Sequence, residues 1–584
     1  AQAILAQTVL TVSRYFECLP PSVPMASKKE GLASTVVWFR KGLRLHDNAA
    51  LVEASKLGLP VFPVFIIDPH FVSPARVGVN RYNFLLESLA DLDAQLRAKY
   101  KNRLFVVRGA PETVLGNILR TGDPLMSQPP RHLLWEHDTE PYALARDARV
   151  AAAAAENGVD ARQFSGHTLW DVSEGLRRNK GKPPMTMPGM VSLAKLLGEP
   201  LAPLPLPLEL KPSGSQAPET FLVPSLEEMG YTPPTQHCGL VGGETAGLDR
   251  LSKKLEDSRY ICSFEKPKTR STAFDPPSTT QLAPYLKFGC VSVRTFYAGL
   301  KRVYAGKKHS EPPTSLLGQL YFREMSYLMG SSIQNFDRQL GNPCCKQIPW
   351  EKDSNLLNAW EHGSTGFPFI DACMRQLVRT GWMHHLARHA VSCFLTRGDL
   401  WISWEEGRDV FDKYLLDSDW AINNMNWLGL AGVAPWSPPF FRVYNPVPKM
   451  DSSLTVQDPE GHFIREFVPE LRQMPSAYIY APWEAPLEVQ RKAGCVVGKD
   501  YPMPVVNHSE ASKKNLALFK SASAAGKSAS VDKTSGPAKA ATETKAPNSA
   551  KAAVKKADVA AGKGASKRKP SSDTATSPLK KRKS

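Results

Sequence analysis

Residues 382–407 read WMHHLARHAVSCFLTRGDLWISWEEG and carry three histidines and three tryptophans. His385 and His389 are four residues apart, so a helix would place them on one face. This spacing suits a zinc-ligand pair, a packed core helix, or a site that uses histidine together with tryptophan. Zinc is disfavoured because no cysteine pair lies nearby and no acidic residue lies between the histidines, as one does in HExxH. We therefore predict no metal ligands.

The charge of the 584-residue chain is concentrated at one end. The net charge is +17, but residues 509–584 hold 18 Lys/Arg against 5 Asp/Glu, so the other 508 residues carry only +4. Nucleic-acid binding by the main body would therefore need a local basic patch. Nine cysteines without a CxxC motif are typical of a reducing compartment. No apolar run approaches the roughly 18–20 residues that cross a membrane, so we predict no membrane association.

The chain divides by pattern into an α/β part and a helical part. Residues 34–165 alternate strand-like and helix-like runs, which predicts an α/β domain with a Rossmann-like parallel sheet. Its first strand is followed by KGLRLHDN and not by GxGxxG, so the sheet does not imply NAD. Residues 166–244 form a Pro-rich interdomain connector, with twelve prolines between 183 and 234. Residues 245–505 are predicted to be all-helical.

The two ends of the chain are set apart from these domains. Residues 1–33 are taken as an N-terminal extension outside the fold. Residues 506–584 are rich in Ala, Lys, Ser and Thr with one aromatic residue, Phe519, and are predicted to be a disordered basic tail. Basic clusters at 567–569 and 580–583 match a two-part nuclear import signal, which predicts a nuclear protein. The alternative is a non-specific polybasic tail.

Five separated stretches carry a family resemblance. They are TVVWFRKGLRLHDNAAL (35–51), FEKPKTRSTAFDPPSTTQLAPYLKFGCVS (264–292), GFPFIDACMRQLVRTGWMHHLARHAVSCFLTRGDLWISWEEG (366–407), LLDSDWAINNMNW (415–427) and FFRVYNPV (440–447). The chain resembles the photolyase/cryptochrome flavoproteins, closest to the (6-4) photolyase and animal-like cryptochrome branch. The resemblance implies an α/β antenna domain, a helical FAD-binding domain, FAD, and an antenna chromophore that is 8-hydroxy-deazaflavin or methenyltetrahydrofolate.

The resemblance also assigns a cofactor site. The cofactor-binding residues that it implies are Thr279, Thr280, Gln281, Leu282, Ala283, Gln319, Arg323, His385, Arg388, Asp417, Ser418, Asp419 and Asn423. Arg388 is expected to pair with Asp417 beside the flavin ring, and Asp419 to accept a hydrogen bond from the ring edge. Asn423 would face flavin N5, where a neutral amide suits a reduced anionic flavin. The alternative for Arg323 is an ion pair with a helix neighbour.

Two further sets of residues follow from the resemblance. The electron-transfer chain is matched, from the flavin outward, by Trp427, Trp404, Trp350 and Trp401. Each tryptophan taken singly would suit a core position. His385 and His389 match the histidine pair that the (6-4) branch places at the lesion, where histidine can donate a proton near neutral pH. The alternative of a satisfied buried histidine applies to His384.

Damaged DNA is the implied partner. Enzymes of this kind extrude the damaged bases into a pocket, and the predicted DNA-contacting residues are Gln319, Phe322, Arg442 and Lys182. We predict a light-driven (6-4) DNA photolyase, a carbon–carbon lyase, that also acts as a photoreceptor. The first alternative is a cryptochrome that signals, through tail partners, without repair. The second is a light-independent FAD-binding module, which leaves the tryptophan chain without a role.

Overall fold

The computed structural model describes residues 33–215, 221–234 and 236–531. The predicted N-terminal extension, apart from its last residue, and the nuclear import signal lie outside the described residues. Among the residues that are described, no helix has both the length and the apolar character needed to cross a bilayer.

A five-stranded parallel sheet forms the N-terminal domain, in the strand order β3-β2-β1-β4-β5. Its strands are Thr35–Phe39 (β1), Val61–Ile67 (β2), Phe105–Arg108 (β3), His132–Glu136 (β4) and Asp160–Phe164 (β5). The connecting helices are Ala49–Leu57 (α1), Val79–Tyr100 (α2), Pro111–Thr121 (α3) and Pro141–Glu156 (α4). The sequence prediction of an α/β domain with a parallel sheet is confirmed.

Strand β1 shows why this segment forms a central strand. Val36 and Trp38 enter the hydrophobic core on one face of the sheet, while Val37 and Phe39 enter the core on the other face. Successive side chains of a strand point to opposite faces, so a strand covered on both sides must be apolar throughout. The run VVWF meets this requirement, and all five residues of β1, Thr35 included, are buried.

The predicted connector contains regular structure that the sequence did not indicate. Val172–Arg178 (α5) and Met187–Leu197 (α6) are helices, and Met190 of α6 is fully buried. The Pro-rich run 198–212 has no helix or strand, as predicted. It is nevertheless held in place, because Tyr100 Oη donates to the Pro207 carbonyl at 2.8 Å and the Val61 amide donates to the Lys211 carbonyl at 3.0 Å.

The C-terminal domain is helical, as predicted. Its helices are Glu244–Glu256 (α7), Ser258–Ser263 (α8), Ala283–Phe288 (α9), Val293–Tyr304 (α10), Leu316–Ser332 (α11), Ser354–Glu361 (α12), Pro368–Thr380 (α13), His385–Cys393 (α14), Trp404–Tyr414 (α15), Trp420–Leu430 (α16), His462–Phe467 (α17) and Leu487–Lys492 (α18). A π-helical turn, Phe394–Gly398, continues α14. Such turns are rare and, where they occur, are frequent at functional sites.

A last helix, His508–Val531 (α19), shows that the predicted disorder is wrong for this first part of residues 506–584. Phe519 is fully buried, and His508 Nδ1 lies 2.6 Å from Asp399 Oδ1. Asn515 Nδ2 donates to the carbonyls of Gly398 and Asp399. The composition argument was wrong for this segment because it treated the segment as isolated, whereas α19 docks on a surface that the rest of the fold supplies. Residues 532–584 lie outside the described chain.

Candidate functional site

The site is organised around the start of α14. His384 is the N-cap of this helix: its Nδ1 accepts a hydrogen bond from the Leu386 amide at 3.2 Å, and its Nε2 lies 3.0 Å from Thr269 Oγ1. The side chain is fully buried. His384 is therefore the satisfied structural histidine that the sequence left as an alternative, and its cap fixes the position of the next residue, His385.

His385 and His389 lie on successive turns of α14, with ring centroids 6.3 Å apart and ring planes at 85°. His389 Nδ1 is 3.3 Å from Tyr444 Oη. The nearby charges are positive: Lys266 and Arg388 both lower the pKa of His385. Within the described residues, no group of three or more His, Cys, Asp or Glu side chains could hold a metal ion. A cationic neighbourhood is unsuited to a zinc pair.

Burial and positive charge together determine the protonation of this pair. Burial, then Lys266, lower the pKa of His389 to about 3, and the same causes lower the pKa of His385 further. Burial and Arg388 also lower the pKa of Lys266 to about 8. The protein alone therefore holds both histidines neutral at pH 7 and supplies excess positive charge. An anionic ligand in this pocket would raise both histidine pKa values toward the range useful for proton donation.

The predicted Arg388–Asp417 pair is confirmed. Arg388 Nη2 lies 2.9 Å from Asp417 Oδ2, and Arg388 Nε donates to the Met383 carbonyl at 2.9 Å. The other oxygen, Asp417 Oδ1, is buried and accepts no hydrogen bond from the described residues. A buried carboxylate oxygen without a donor is costly, so it suits a ligand N–H or O–H. This unpaired acceptor beside a cationic pocket fits a flavin dinucleotide. Asn423, which is close to Asp417 in the sequence, donates from Nδ2 to the Arg408 carbonyl.

Asp419 makes protein contacts that the sequence did not indicate. It caps α16 through Oδ1, which accepts from the Ala421 amide at 3.1 Å, while Oδ2 accepts from Tyr327 Oη at 2.8 Å and lies 3.5 Å from Lys41 Nζ. Although burial raises the pKa of Asp419, Lys41 and His167 hold it well below its usual range. Both oxygens are engaged by protein donors at the interface of the two domains, and the predicted contact with the flavin ring edge stays a prediction.

Three other predicted cofactor residues also make contacts within the protein. Arg323 lies 3.1 Å from Glu324 Oε1 and 3.0 Å from His167 Nε2, so the predicted alternative, an ion pair with a helix neighbour, is what the structure shows. Gln319 Nε2 donates to the Pro313 carbonyl at 3.0 Å, which uses the amide locally. Ser418 Oγ donates to Asp412 Oδ1 at 2.8 Å. None of the three joins the histidine cluster through these contacts.

The predicted phosphate loop, residues 279–283, precedes and enters α9. Gln281 has a positive φ of 53°, which gives the loop a sharp turn. Arg250 Nη1 donates to Gln281 Oε1 at 3.3 Å, and Thr280 Oγ1 accepts from the Leu282 amide at 3.4 Å. The loop is partly exposed, except for Leu282, which is buried, and Ala283, which is exposed. The two threonine hydroxyls and Arg250 are the groups here that a phosphate could use.

The predicted DNA-contacting residues are dispersed. Phe322 adjoins the histidine cluster, since Lys266 Nζ lies 5.5 Å from its ring centroid. Arg442 is exposed, with its guanidinium 5.7 Å from the Tyr444 ring centroid. Lys182 is exposed after the turn that follows α5, where its carbonyl accepts a hydrogen bond from Asn179 Nδ2 at 2.6 Å. Phe322 and Arg442 are thus the two predicted contacts that flank the histidines.

The four tryptophans form an inner and an outer pair. Trp404 and Trp427 are fully buried on the adjacent helices α15 and α16, and each indole N–H lacks an acceptor among the described residues. Gly407, one turn after Trp404, packs so closely on the Trp427 ring that a Cβ there would overlap it. Trp350 and Trp401 are in direct contact, with ring centroids 4.8 Å apart. The contact between Trp350 and Trp401 is short enough for an electron hop, and the electron-transfer role of all four tryptophans stays a prediction.

Sequence reasoning missed Lys266, Tyr444 and the interface cluster of Lys41, His167 and Tyr327. Lys266 and Tyr444 lie within quoted stretches, but nothing in their local sequence distinguishes them. Their relevance arises only where distant segments meet α14. Lys41 similarly gains its role from Asp138 at 3.1 Å and Asp419 at 3.5 Å, which raise its pKa although burial lowers it.

A cleft of about 190 Å³ lies at the carboxyl ends of the sheet strands. Trp38 and Phe71 give it aromatic walls, and its lining carries charges of both signs, with Lys41 paired to Asp138 and Asp419. The N-terminus of α16 closes its other side through Asp419. Open α/β sheets bind ligands at this edge, which makes the cleft the candidate site for a second chromophore.

His384 makes the stability of the fold depend on pH. Burial and Arg388 lower its pKa to about 3, whereas an unfolded histidine titrates near 6.5. The unfolded chain therefore binds the proton more readily, so this stability is fully present above about pH 6.5 and is lost as the pH falls toward the folded pKa. We expect His384 alone to cost about 1 kcal/mol between pH 7.5 and 5.5.

Thermal unfolding at these two pH values measures this loss. His384→Asn keeps a capping side chain that does not titrate, so its melting temperature should depend less on pH than that of the wild type. An equal pH dependence in the two proteins would contradict the assignment of His384.

Comparison with known proteins agrees with both domains. Residues 35–207 match the DNA photolyase family model, and residues 316–521 match the model described as the FAD binding domain of DNA photolyase. The second match extends into α19. The chain is 46% identical to the (6-4)DNA photolyase of Arabidopsis thaliana over 526 residues, which cover 86% of this chain and 91% of that protein.

It is also 44% identical to Cryptochrome-1 of Gallus gallus over 499 residues, which cover 83% of this chain and 78% of that protein. The crystal structure of a class III photolyase from Agrobacterium tumefaciens superposes with a TM-score of 0.71 at 29% identity, covering 85% of this chain and 99% of that one. The identities extend through both domains and exceed what a shared fold alone would give. The chain is therefore a member of the photolyase/cryptochrome family of FAD-binding flavoproteins.

Proposed function

We propose that this protein repairs (6-4) pyrimidine photoproducts in DNA under blue light. The observation that carries the proposal is the histidine pair on α14, where His385 and His389 lie with Lys266 and Tyr444 in a pocket whose neighbouring charges are positive. Such a pocket attracts an anionic lesion and offers two imidazoles for proton transfer. The 46% identity to a protein named (6-4)DNA photolyase supports the same conclusion.

The residues of the chain divide the chemistry among them. Bound FAD in its reduced form supplies the electron that light drives to the lesion. His385 and His389 hold and deliver the proton that the transferred hydroxyl or amino group needs, and Tyr444 orients His389 through the 3.3 Å contact. Asn423 contributes a neutral amide, and Asp417 Oδ1 offers the free acceptor. With FAD bound, the four tryptophans would supply it with electrons from the protein surface.

The cleft at the sheet edge is the proposed antenna site. A planar chromophore such as 8-hydroxy-deazaflavin or methenyltetrahydrofolate could stack on its aromatic walls. Asp419 lies at this cleft and also caps α16, the helix that carries Asn423 and Trp427. The cleft is therefore structurally continuous with the proposed flavin site.

A second candidate function is light signalling. One support is the docking of α19 on the outer tryptophan pair, because a change in the oxidation state of these tryptophans would act directly on a C-terminal segment. The other support is the 44% identity to a Cryptochrome-1. The partners would be signalling proteins that bind the tail. Nuclear location is proposed from the basic clusters at 567–569 and 580–583, and deletion of those clusters from a fluorescent fusion should remove nuclear accumulation.

Repair of defined lesions tests the enzyme proposal. The purified protein is incubated with a (6-4)-containing oligonucleotide under blue light, in parallel with a dark sample and an oligonucleotide carrying a cyclobutane dimer. We expect restoration of the normal bases only for the (6-4) substrate in the light. Normal FAD photoreduction without any repair would contradict the enzyme proposal and leave the photoreceptor.

A further inference from the structure

Helix α19 contacts more than the tryptophan pair. The Phe519 ring centroid lies 6.4 Å from that of Trp350 and 6.5 Å from that of Trp401. On its other side, Phe519 stacks on Phe440, with centroids 5.3 Å apart and ring planes within 11°. Phe440 belongs to residues 436–447, called here the 436–447 loop, which has no helix or strand. Phe519 therefore joins the outer tryptophans to this loop.

Arg397, in the π-helical turn, also binds this loop. Arg397 Nη1 donates to the Phe440 carbonyl at 2.8 Å and to the Arg442 carbonyl at 2.7 Å. Arg397 is 1% exposed, so these are charge-assisted hydrogen bonds from a buried cation to two loop carbonyls. Gly432 lies against both anchors, since a Cβ there would stand 3.1 Å from Arg397 Cδ and 3.4 Å from Phe519 Cζ.

The far end of the loop reaches the histidine pocket. Tyr444 Oη lies 3.3 Å from His389 Nδ1, and Arg442 extends into solvent beside the Tyr444 ring. Loops have little internal structure to fix such side chains and depend on external packing. The stack on Phe519 and the hydrogen bonds from Arg397 supply that packing at Phe440 and Arg442, only a few residues before Tyr444.

The anchoring of α19 converges on the same π-helical turn. Asn515 Nδ2 donates to the carbonyl of Gly398, the last residue of the turn, and to that of Asp399. His508 bonds Asp399 as well. Docking of α19 thus fixes the turn that carries Arg397 and covers the loop that Arg397 holds. An exposed linker would need none of these buried contacts.

We propose that Phe519 is a positioning residue for DNA binding: through Phe440 it holds the 436–447 loop so that Tyr444 meets His389 and Arg442 faces the DNA phosphates. This proposal rests on the proposed repair function. It gives the C-terminal helix a structural role at the substrate pocket, in addition to its cover over the outer tryptophans. Loss of the stack would leave the loop in its binding-competent form for only part of the time, which weakens apparent affinity in proportion.

The test measures loop protection and DNA affinity in Phe519→Ala, both in darkness so that the tryptophan chain does not contribute. Amide hydrogen exchange in the 436–447 loop should become faster. The Kd for a (6-4)-containing duplex should rise about tenfold, as a competent fraction of about one tenth requires. Phe519→Leu, which keeps an apolar side chain, should restore most of both. Lys514→Ala is the matched control on α19, because Lys514 forms only an exposed ion pair with Glu351, at 3.8 Å.

The outcomes separate this proposal from the repair function. If Phe519→Ala leaves both loop exchange and lesion affinity at wild-type values, the proposal is overturned. If the wild type does not bind the lesion, the repair function fails, and loop exchange alone decides whether Phe519 positions the loop. If Phe519→Ala does not fold, Asn515→Ala, which removes only two hydrogen bonds, should show the same changes to a smaller degree. Unchanged exchange in that variant also overturns the proposal.

Discussion

His385→Ala should lower the light-driven repair of (6-4) photoproducts by about 10²- to 10⁴-fold, the usual contribution of a positioned proton donor. We expect a loss of this size because His385 is one member of the imidazole pair on α14, with ring centroids 6.3 Å apart, and alanine leaves no ionisable group at that position. The measurement is the yield of restored bases per absorbed photon, with the enzyme reduced beforehand so that photoreduction does not limit the rate.

Two comparisons make this result specific. His384→Asn changes the adjacent histidine but keeps the helix cap, so it should repair lesions at a rate close to that of the wild type. A pH profile adds a second criterion: since the active imidazole must be protonated, the wild-type yield should fall as the pH rises, and His385→Ala should lose that dependence. Wild-type repair by His385→Ala would remove His385 from the proton path.

The sheet and the helical domain were predictable because their signals are local. The VVWF run of β1 is apolar on both faces, as a central parallel strand must be, and the Arg388–Asp417 pair followed from matching motifs. Asp419 could not be placed in this way. Its donors come from Lys41, Tyr327 and its own helix, so its environment exists only once the two domains meet.

The prediction of disorder was wrong for α19 for a related reason. A segment rich in Ala, Lys and Ser has little apolar surface, and composition alone predicts disorder. The segment is nevertheless a docked helix, in which the buried ring of Phe519 packs against Trp350, Trp401 and Phe440. These three residues come from separate parts of the sequence. A single-sequence reading has no means of knowing that this surface exists. Tyr444 was missed on the same grounds.

Trp427→Phe should reduce the photoreduction of bound FAD to background. Phenylalanine keeps an aromatic ring in the slot beside Gly407 and Phe411, so the fold should persist with a modest loss of stability. A phenyl ring is much harder to oxidise than an indole. Electron transfer from Trp404 toward the flavin would then lack its intermediate carrier. The measurement is the loss of oxidised flavin absorbance under blue light with an external thiol as the final donor.

Trp360→Phe is the matched control for this substitution. Trp360 is also fully buried, lies 6.2 Å from Trp427 by ring centroids, and donates its indole N–H to the Val391 carbonyl. Trp360 packs in the same region as Trp427 but is not one of the four predicted electron-transfer tryptophans, so photoreduction of FAD should continue in Trp360→Phe. Equal losses in both variants would mean that packing, not electron transfer, explains the effect. Because Trp427→Phe should still repair lesions when its FAD is reduced chemically, retention of that activity separates the electron supply from the chemistry at His385.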